Sequence, residues 1–231
     1  MREKKITNPF FVVNPKSFLY GESLMELALH ANELAKSNPI DILFTAPQTE
    51  LANIVRKCPD LIVTAQHMDD IQPGDTMGKV LIESLVHIGV QAVVLNHADH
   101  PLAISTLSNT ILRAKDVGIQ TIVCVDSIQE GQAVAMLHPD IILAEPTELI
   151  GQAQISSRDY VTSTIESIKK VNPDVLVEQG AGIRSENDVV ELLQLGADGV
   201  GVTSGIVKAE DPVGMMRKMI QAVATFKKER K

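Results

Sequence analysis

A carboxylate, a lysine, a histidine and two glycine-bearing turns each stand just past an apolar run of this chain, where they could do chemistry together. The run Ile141-Ile142-Leu143-Ala144 has the character of a buried strand, and it ends in Glu145 before Pro146 stops the pairing. A carboxylate there is a potential base. Gly151, six residues on, offers a flexible backbone amide as an anion contact, on a loop that could close. Lys16 stands just beyond a run ending in Asn14, either as a solvated loop charge or as a cation facing an anionic substrate. His97 follows Asn96 at the end of another run and can serve as an acid or hydrogen-bond donor. The turns Gly180-Ala181-Gly182 and Thr203-Ser204-Gly205 are either simple tight turns or, with Gly151, backbone amides converging on a phosphate. Base, electrophile, cation and phosphate cup together describe proton abstraction next to a carbonyl on a phosphorylated substrate.

The elements that must hold these residues are eight apolar, β-branched runs alternating with segments of helical period. Strands are expected at Pro9–Asn14, Asp41–Ala46, Leu61–Ala65, Ala92–Asn96, Thr121–Val125, Ile141–Ala144, Asp174–Glu178 and Gly199–Thr203. Helices are expected near 22–37, 48–57, 78–88, 101–117, 127–137, 158–170, 185–195 and 212–227. Ser185-Glu186-Asn187-Asp188 has the form of an N-terminal cap, and Asp211-Pro212 starts the last helix in a similar way. Gly89, Gly118 and Gly196 each close a helix where a left-handed residue is usually needed. Near-continuous apolar strands are buried on both faces, which implies parallel pairing with crossover helices. Eight such units close into a (β/α)8 TIM barrel of the α/β class, one domain over 1–231 with no compositional break for a linker. A doubly wound open sheet is the alternative, but Asn14-Pro15-Lys16 stands where its Gly-rich turn would be. In a barrel, chemistry belongs at the carboxyl ends of the strands, where all of these residues fall.

His67, His97, Asp99 and His100 are ligand-type residues at those ends, but no second acidic cluster completes a metal shell. His100 precedes Pro101 and is expected to begin a helix and point elsewhere. His97 would then lie near that helix's amino end, which disfavours the imidazolium and leaves a neutral ring suited to polarising a carbonyl. A formal net charge of -8 and a pI near 5.2, with basic runs only at the two ends, argue against nucleic-acid or anionic-membrane binding. There is no signal-like apolar segment and no run of uncharged apolar residues long enough to span a bilayer, so a soluble, cytoplasmic protein is expected. Cys58 and Cys124 are expected as reduced core thiols.

The order of these residues resembles the triosephosphate isomerase family, in particular its short archaeal-type branch. Asn14-x-Lys16, Ala65-Gln66-His67, Asn96-His97, Val123-Cys124, Glu145-Pro146-x-Glu148-Leu149-Ile150-Gly151, Gly180-Ala181-Gly182-Ile183 and Ser204-Gly205-x-Val207-Lys208 match its pattern in sequence order across all eight units. The resemblance implies an aldose–ketose isomerase of glycolysis and gluconeogenesis, interconverting dihydroxyacetone phosphate and D-glyceraldehyde 3-phosphate through an enediolate. It implies that Glu145 shuttles the proton and His97 polarises the carbonyl and enediolate oxygens. Lys16 and Asn14 would stabilise negative charge, and Gly151 would close over the phosphate. The substrate contacts would be Asn14, Gly151, Gly180, Ala181, Gly182, Thr203 and Ser204, with no cofactor and no metal. It also implies a homodimer or homotetramer in which the loop Met68–Thr76, with Ile71 exposed, reaches into a neighbour; from the residues alone a mobile surface loop is an equally good reading.

The chain departs from the family pattern around this one site. His97-Ala98-Asp99 stands for His-Ser-Glu, so that Asp99, one methylene shorter, takes the place of the acidic residue that pairs with the lysine; His100-Pro101 stands for the usual basic residues, Gln152-Ala153 for Thr-Gly, Met77 for a threonine that crosses the interface, and Pro15 for an aromatic. These swaps keep two alternatives open: an isomerase of another short sugar phosphate such as an erythrulose phosphate, or a sugar-phosphate-binding paralogue without turnover. A Schiff-base aldolase is disfavoured, because strand six ends in Glu145 and the lysine is on strand one.

Overall fold

The computed structural model describes residues 5–146 and 156–230. Gly151, Gln152 and Ala153, and with them the expected loop over the phosphate, lie outside the described residues. Eight strands, β1 (Phe10–Val13), β2 (Asp41–Ala46), β3 (Ile62–Ala65), β4 (Ala92–Leu95), β5 (Gln120–Val125), β6 (Ile141–Ala144), β7 (Leu176–Gln179) and β8 (Gly199–Val202), form a closed barrel in sequence order. Every neighbouring pair is parallel, and β1 closes the ring against both β2 and β8. Around it lie α1 (Gly21–Ser37), α2 (Leu51–Lys57), α3 (Ile82–Ile88), α4 (Ile104–Val117), α5 (Ile128–Ala135), α6 (Arg158–Val171), α7 (Glu186–Gln194), the short α8 (Ser204–Val207) and α9 (Pro212–Glu229).

The strands read as continuous apolar runs because alternate residues serve two cores. Phe10, Val12, Leu43, Ile62, Val94, Ile122 and Leu143 fill the barrel interior. Phe11, Val13, Ile42, Phe44, Val63, Val123 and Val177 pack outward under the helices. Each helix covers the strands with one stripe: Val161, Ile165 and Ile168 of α6 are buried at helical spacing, and Ser157 caps that helix by accepting the Tyr160 N–H at 3.2 Å. The expected cap of α7 is a full capping box between Ser185 and Asp188. Asp211 caps α9 through the Gly214 N–H, with Pro212 in the first turn. Gly89, Gly118 and Gly196 are all left-handed, with φ of 93°, 77° and 105°.

Several boundaries differ from expectation, for local reasons. The fourth helix begins at Ile104 and not at Pro101, because Asn96 accepts the Leu102 N–H at 3.0 Å and holds that segment extended. The third begins at Ile82 because Asp69 accepts the Val80 N–H (2.7 Å) and donates its own to the Val80 carbonyl (2.9 Å), tying together the two ends of the preceding loop. Strand β7 runs from Leu176 to Gln179, two residues later at its start and one later at its end than the expected Asp174–Glu178. The one-turn α8 was not foreseen. Among the described residues no helix is long and apolar enough to cross a membrane. Cys58 and Cys124 are free and buried.

Candidate active site

The carboxyl end of the barrel opens on a cavity of about 450 Å³, bordered by Lys16, Glu145, Ala181, Gly182, Thr203 and Ser204. A second cavity of about 290 Å³ adjoins it, bordered by Asn14, Thr45, Gln48, Gln66, His67 and His97. Lys16, Ser17 and Asp99 border both, so the lysine stands between the carboxylate and the imidazole. Gly180 lies under the carboxylate: a Cβ there would sit 3.0 Å from Glu145 Oε1. The site residues within the described chain thus gather at one mouth, and Gly151 is outside the described residues.

Each of these side chains is held by the strand end that carries it. Lys16 has φ 49°, a left-handed conformation that costs a non-glycine residue about 1 kcal/mol. Two side chains hold it there: Asn14 Oδ1 accepts the Lys16 N–H at 3.1 Å, and Gln66 Nε2 donates to the Lys16 carbonyl at 3.1 Å. Asn14 is itself fixed by the Thr45 hydroxyl, which donates to Oδ1 at 2.5 Å. Neither Thr45 nor Gln66 stands out in the sequence as a site residue, although Gln66 is part of Ala65-Gln66-His67, because each acts through a contact with a distant strand end. Asn96, also left-handed, donates to the Cys124 carbonyl and to Glu130, both at 3.0 Å, and so sets the start of the loop carrying His97. On the far side Ala181 and Gly182 are left-handed in succession, with φ of 63° and 69°. Gly205 lets α8 press against that turn, since a Cβ would meet the Ile183 carbonyl oxygen at 2.2 Å.

This sequence matches the family model for triosephosphate isomerase over residues 9–223. It is similar to the triosephosphate isomerase of Methanocaldococcus jannaschii, with 35% identity over 219 residues covering 92% of this chain and 99% of the relative. Those of Caldivirga maquilingensis (34%, covering 88% of this chain and 92% of the relative) and Methanobacterium bryantii (31%, covering 96% and 100%) are also similar. The chain belongs to the triosephosphate isomerase family.

Among features of this triosephosphate isomerase family member, the protonation states of its polar groups follow from their surroundings. His97 Nδ1 accepts the Asp99 N–H at 3.1 Å, which places the ring proton on Nε2. That Nε2 is buried and has no partner among the described residues. Burial first, then the Lys16 charge, hold the imidazole below its ordinary value, against the opposing Asp99 carboxylate 3.3 Å from Nδ1. The neutral ring is therefore as expected and its cause is not: with the helix starting at Ile104, burial and Lys16 act in place of a helix amino end. Burial also raises Glu145 above the usual carboxylate range, opposed by Lys16 and by a hydrogen bond from the Ala181 N–H. A desolvated carboxylate is a stronger base than a solvated one, and a neutral imidazole donates without adding a charge.

Three further expectations are corrected. His100 does not point away: its ring stacks on His67 with centroids 3.8 Å apart and 23° between planes, and it borders the second cavity. Asp99 does not pair with Lys16; its side chain is 85% exposed and turned to His97, and no described carboxylate lies within ion-pair distance of Lys16 Nζ. In the loop after β3, Ile71 is half-buried, and the exposed apolar residue is Met77, at 97%. Among the described residues no group of three or more histidine, cysteine, aspartate or glutamate side chains is placed to hold a metal ion.

Proposed function

We propose that this protein interconverts dihydroxyacetone phosphate and D-glyceraldehyde 3-phosphate. The observation that carries this reading is the arrangement around Lys16: a desolvated carboxylate on one side and a neutral imidazole with a free Nε2–H on the other. Glu145 removes a proton from the carbon bearing the hydroxyl, and the electron pair moves to the neighbouring carbonyl oxygen, giving the enediolate. His97 donates from Nε2 to the oxygens that carry this charge, while the Lys16 ammonium, with Asn14 holding it in place, offsets it. His97 passes its Nε2 proton to the charged oxygen and takes the hydroxyl proton of the neighbouring one, and Glu145 returns its proton to the adjacent carbon as the second carbonyl forms. Ala181, Gly182, Thr203 and Ser204 border the space for the phosphate, next to Gly180, and Gly151, outside the described residues, is a further proposed contact. A coupled assay on glyceraldehyde 3-phosphate tests the reading: wild type turns over, and Glu145→Asp, which withdraws the carboxylate by one methylene, loses at least about a hundredfold in kcat/KM. Wild type without turnover on any three- or four-carbon sugar phosphate, but with phosphate analogues still bound, would leave a binding protein.

The adjoining cavity of about 290 Å³ favours a second reading, in which the end of the substrate away from phosphate carries an extra hydroxymethyl group, as in an erythrulose phosphate. A higher kcat/KM on the four-carbon ketose phosphate than on the triose phosphate would establish it. The protein is further proposed to work in the cytoplasm as a homodimer or homotetramer. Free buried thiols support the first statement and Met77, exposed in the segment between β3 and α3, supports the second. Light scattering on wild type and Met77→Lys tests the assembly; a monomeric wild type counts against it.

A further inference from the structure

One ionisable side chain inside the barrel has no part in the chemistry above. Glu178 is on the inner face of β7, two residues before Gly180 in the sequence, level with Leu143 of β6 and Gly199 of β8. It is 1% exposed. Its Oε1 fills the space that a Cβ on Gly201 would need, 2.2 Å away, and its Oε2 is buried with no partner among the described residues. Above it, Glu145 Oε1 occupies the corresponding gap over Gly180. Gly180, just past β7, and Gly201 on β8 therefore clear a column for two carboxyls, one over the other.

Among the described residues, no cation acts on the Glu178 carboxyl; its surroundings are burial and the Glu145 charge. Cys124 on β5 is a fully buried thiol pushed well above its ordinary range by burial, then by Glu145 and Glu178. From β8 comes the Gly201 backbone, and from just past β6 the Glu145 carboxylate; the Lys16 charge acts on Glu145 and on Cys124. Two carboxylates in one desolvated column repel strongly, so the lower one carries its proton while the upper one is the base. When that proton leaves, an anion is added under a site that must bind a phosphate and build an enediolate.

We propose that Glu178 is a positioning residue whose carboxyl, seated over Gly201 beneath the base, sets the alkaline edge of the range in which Glu145 works. The inference rests on the isomerase reading above. Burial, then Glu145, push the Glu178 carboxyl up to about 8, which places that edge. The test is kcat/KM for glyceraldehyde 3-phosphate from about pH 6 to about pH 10 in wild type, Glu178→Gln and Glu178→Leu, since this profile reports groups of the free enzyme. Wild type should fall about tenfold per pH unit beyond the edge, and both variants should lack that fall, whereas a merely structural role would lower the curve equally at every pH. A wild-type profile flat to about pH 10, or the same fall in Glu178→Gln, overturns the proposal. The infrared band of a protonated carboxyl gives a readout without turnover: present in wild type at neutral pH, lost in alkali, kept in Glu145→Gln and absent from Glu178→Gln. Its absence from neutral wild type also overturns the proposal. A band that titrates in a wild type without isomerase turnover sinks the proposed function and leaves the ionisation of Glu178 established.

Discussion

Replacing Glu178 by glutamine should alter the pH dependence of stability in a direction and amount that follow from its site. Burial, with the neighbouring Glu145, raises this carboxyl from 4.5 to about 8 in the folded chain. Between those two values the folded state holds a proton that the unfolded state has released. The stabilising contribution is therefore complete below about 4.5, declines as pH rises, and falls no further above about 8. Each pH unit corresponds to about 1.4 kcal/mol, so the whole window amounts to about 5 kcal/mol at most, a large share of a typical domain's stability. An amide of nearly the same shape has no such slope, and its own cost of about 1–3 kcal/mol for lacking partners is independent of pH. The stability of Glu178→Gln relative to wild type should therefore grow by several kcal/mol between about pH 5 and about pH 8. Denaturant unfolding at three pH values, at one protein concentration so that assembly contributes equally, measures this difference. Glu145 remains in both proteins and does not enter the difference directly. Parallel stability curves would refute the burial of a neutral carboxyl at this position.

The other predictions use the same contacts. Gly201→Ala drives a Cβ to 2.2 Å from Glu178 Oε1 and should cost about 1–3 kcal/mol, most of it recovered when Glu178→Ala is added. Additive effects in that double-mutant cycle would mean the two sites do not touch. Gly205→Ala meets a backbone oxygen, Ile183 O at 2.2 Å, which has less room to yield, so KM and phosphate affinity should each worsen about tenfold or more with the fold retained. An unchanged KM would remove these two turns from the phosphate site. Asn14→Ala deletes the acceptor for both the Thr45 hydroxyl and the Lys16 N–H, freeing Lys16 from its left-handed backbone. Its kcat/KM should fall about a hundredfold, and a high-resolution structure should show Lys16 at negative φ.

How far the sequence revealed the fold depended on whether the deciding contacts were local. Strands such as Asp41–Ala46, buried at every position, show their nature in their own residues, because both faces of a parallel barrel strand are covered. The capping box of α7 and the left-handed glycines after α3, α4 and α7 are equally local. Helix α4 is different, since its start is decided by Asn96 capturing the Leu102 N–H. Helix α8 is one turn of Ser204, Gly205, Ile206 and Val207, too short for a periodic signal, and is set by packing against the turn after β7.

The same division explains why the positions of Glu145, Lys16 and His97 were legible and Glu178 was not. The first three stand past the ends of apolar runs, where a charged or polar residue invites a functional reading. Glu178 is expected as the last residue of the strand Asp174–Glu178, and nothing in that segment alone says which face of the strand it takes. The structure continues β7 through Gln179, so Glu178 faces the barrel interior below Gly180. A signal for this was present in another strand. β8 carries Gly199 and Gly201 at successive inward positions, and a barrel interior tolerates no voids there, so large side chains from neighbouring strands must enter both gaps. Phe10 of β1 takes the first, its ring reaching within 2.3 Å of the missing Cβ, and Glu178 of β7 takes the second. An apolar side chain could have filled that second gap as the phenylalanine fills the first. Glutamate there costs stability as pH rises, so its consequence lies in its charge beneath the base and not in the packing it shares with the phenylalanine.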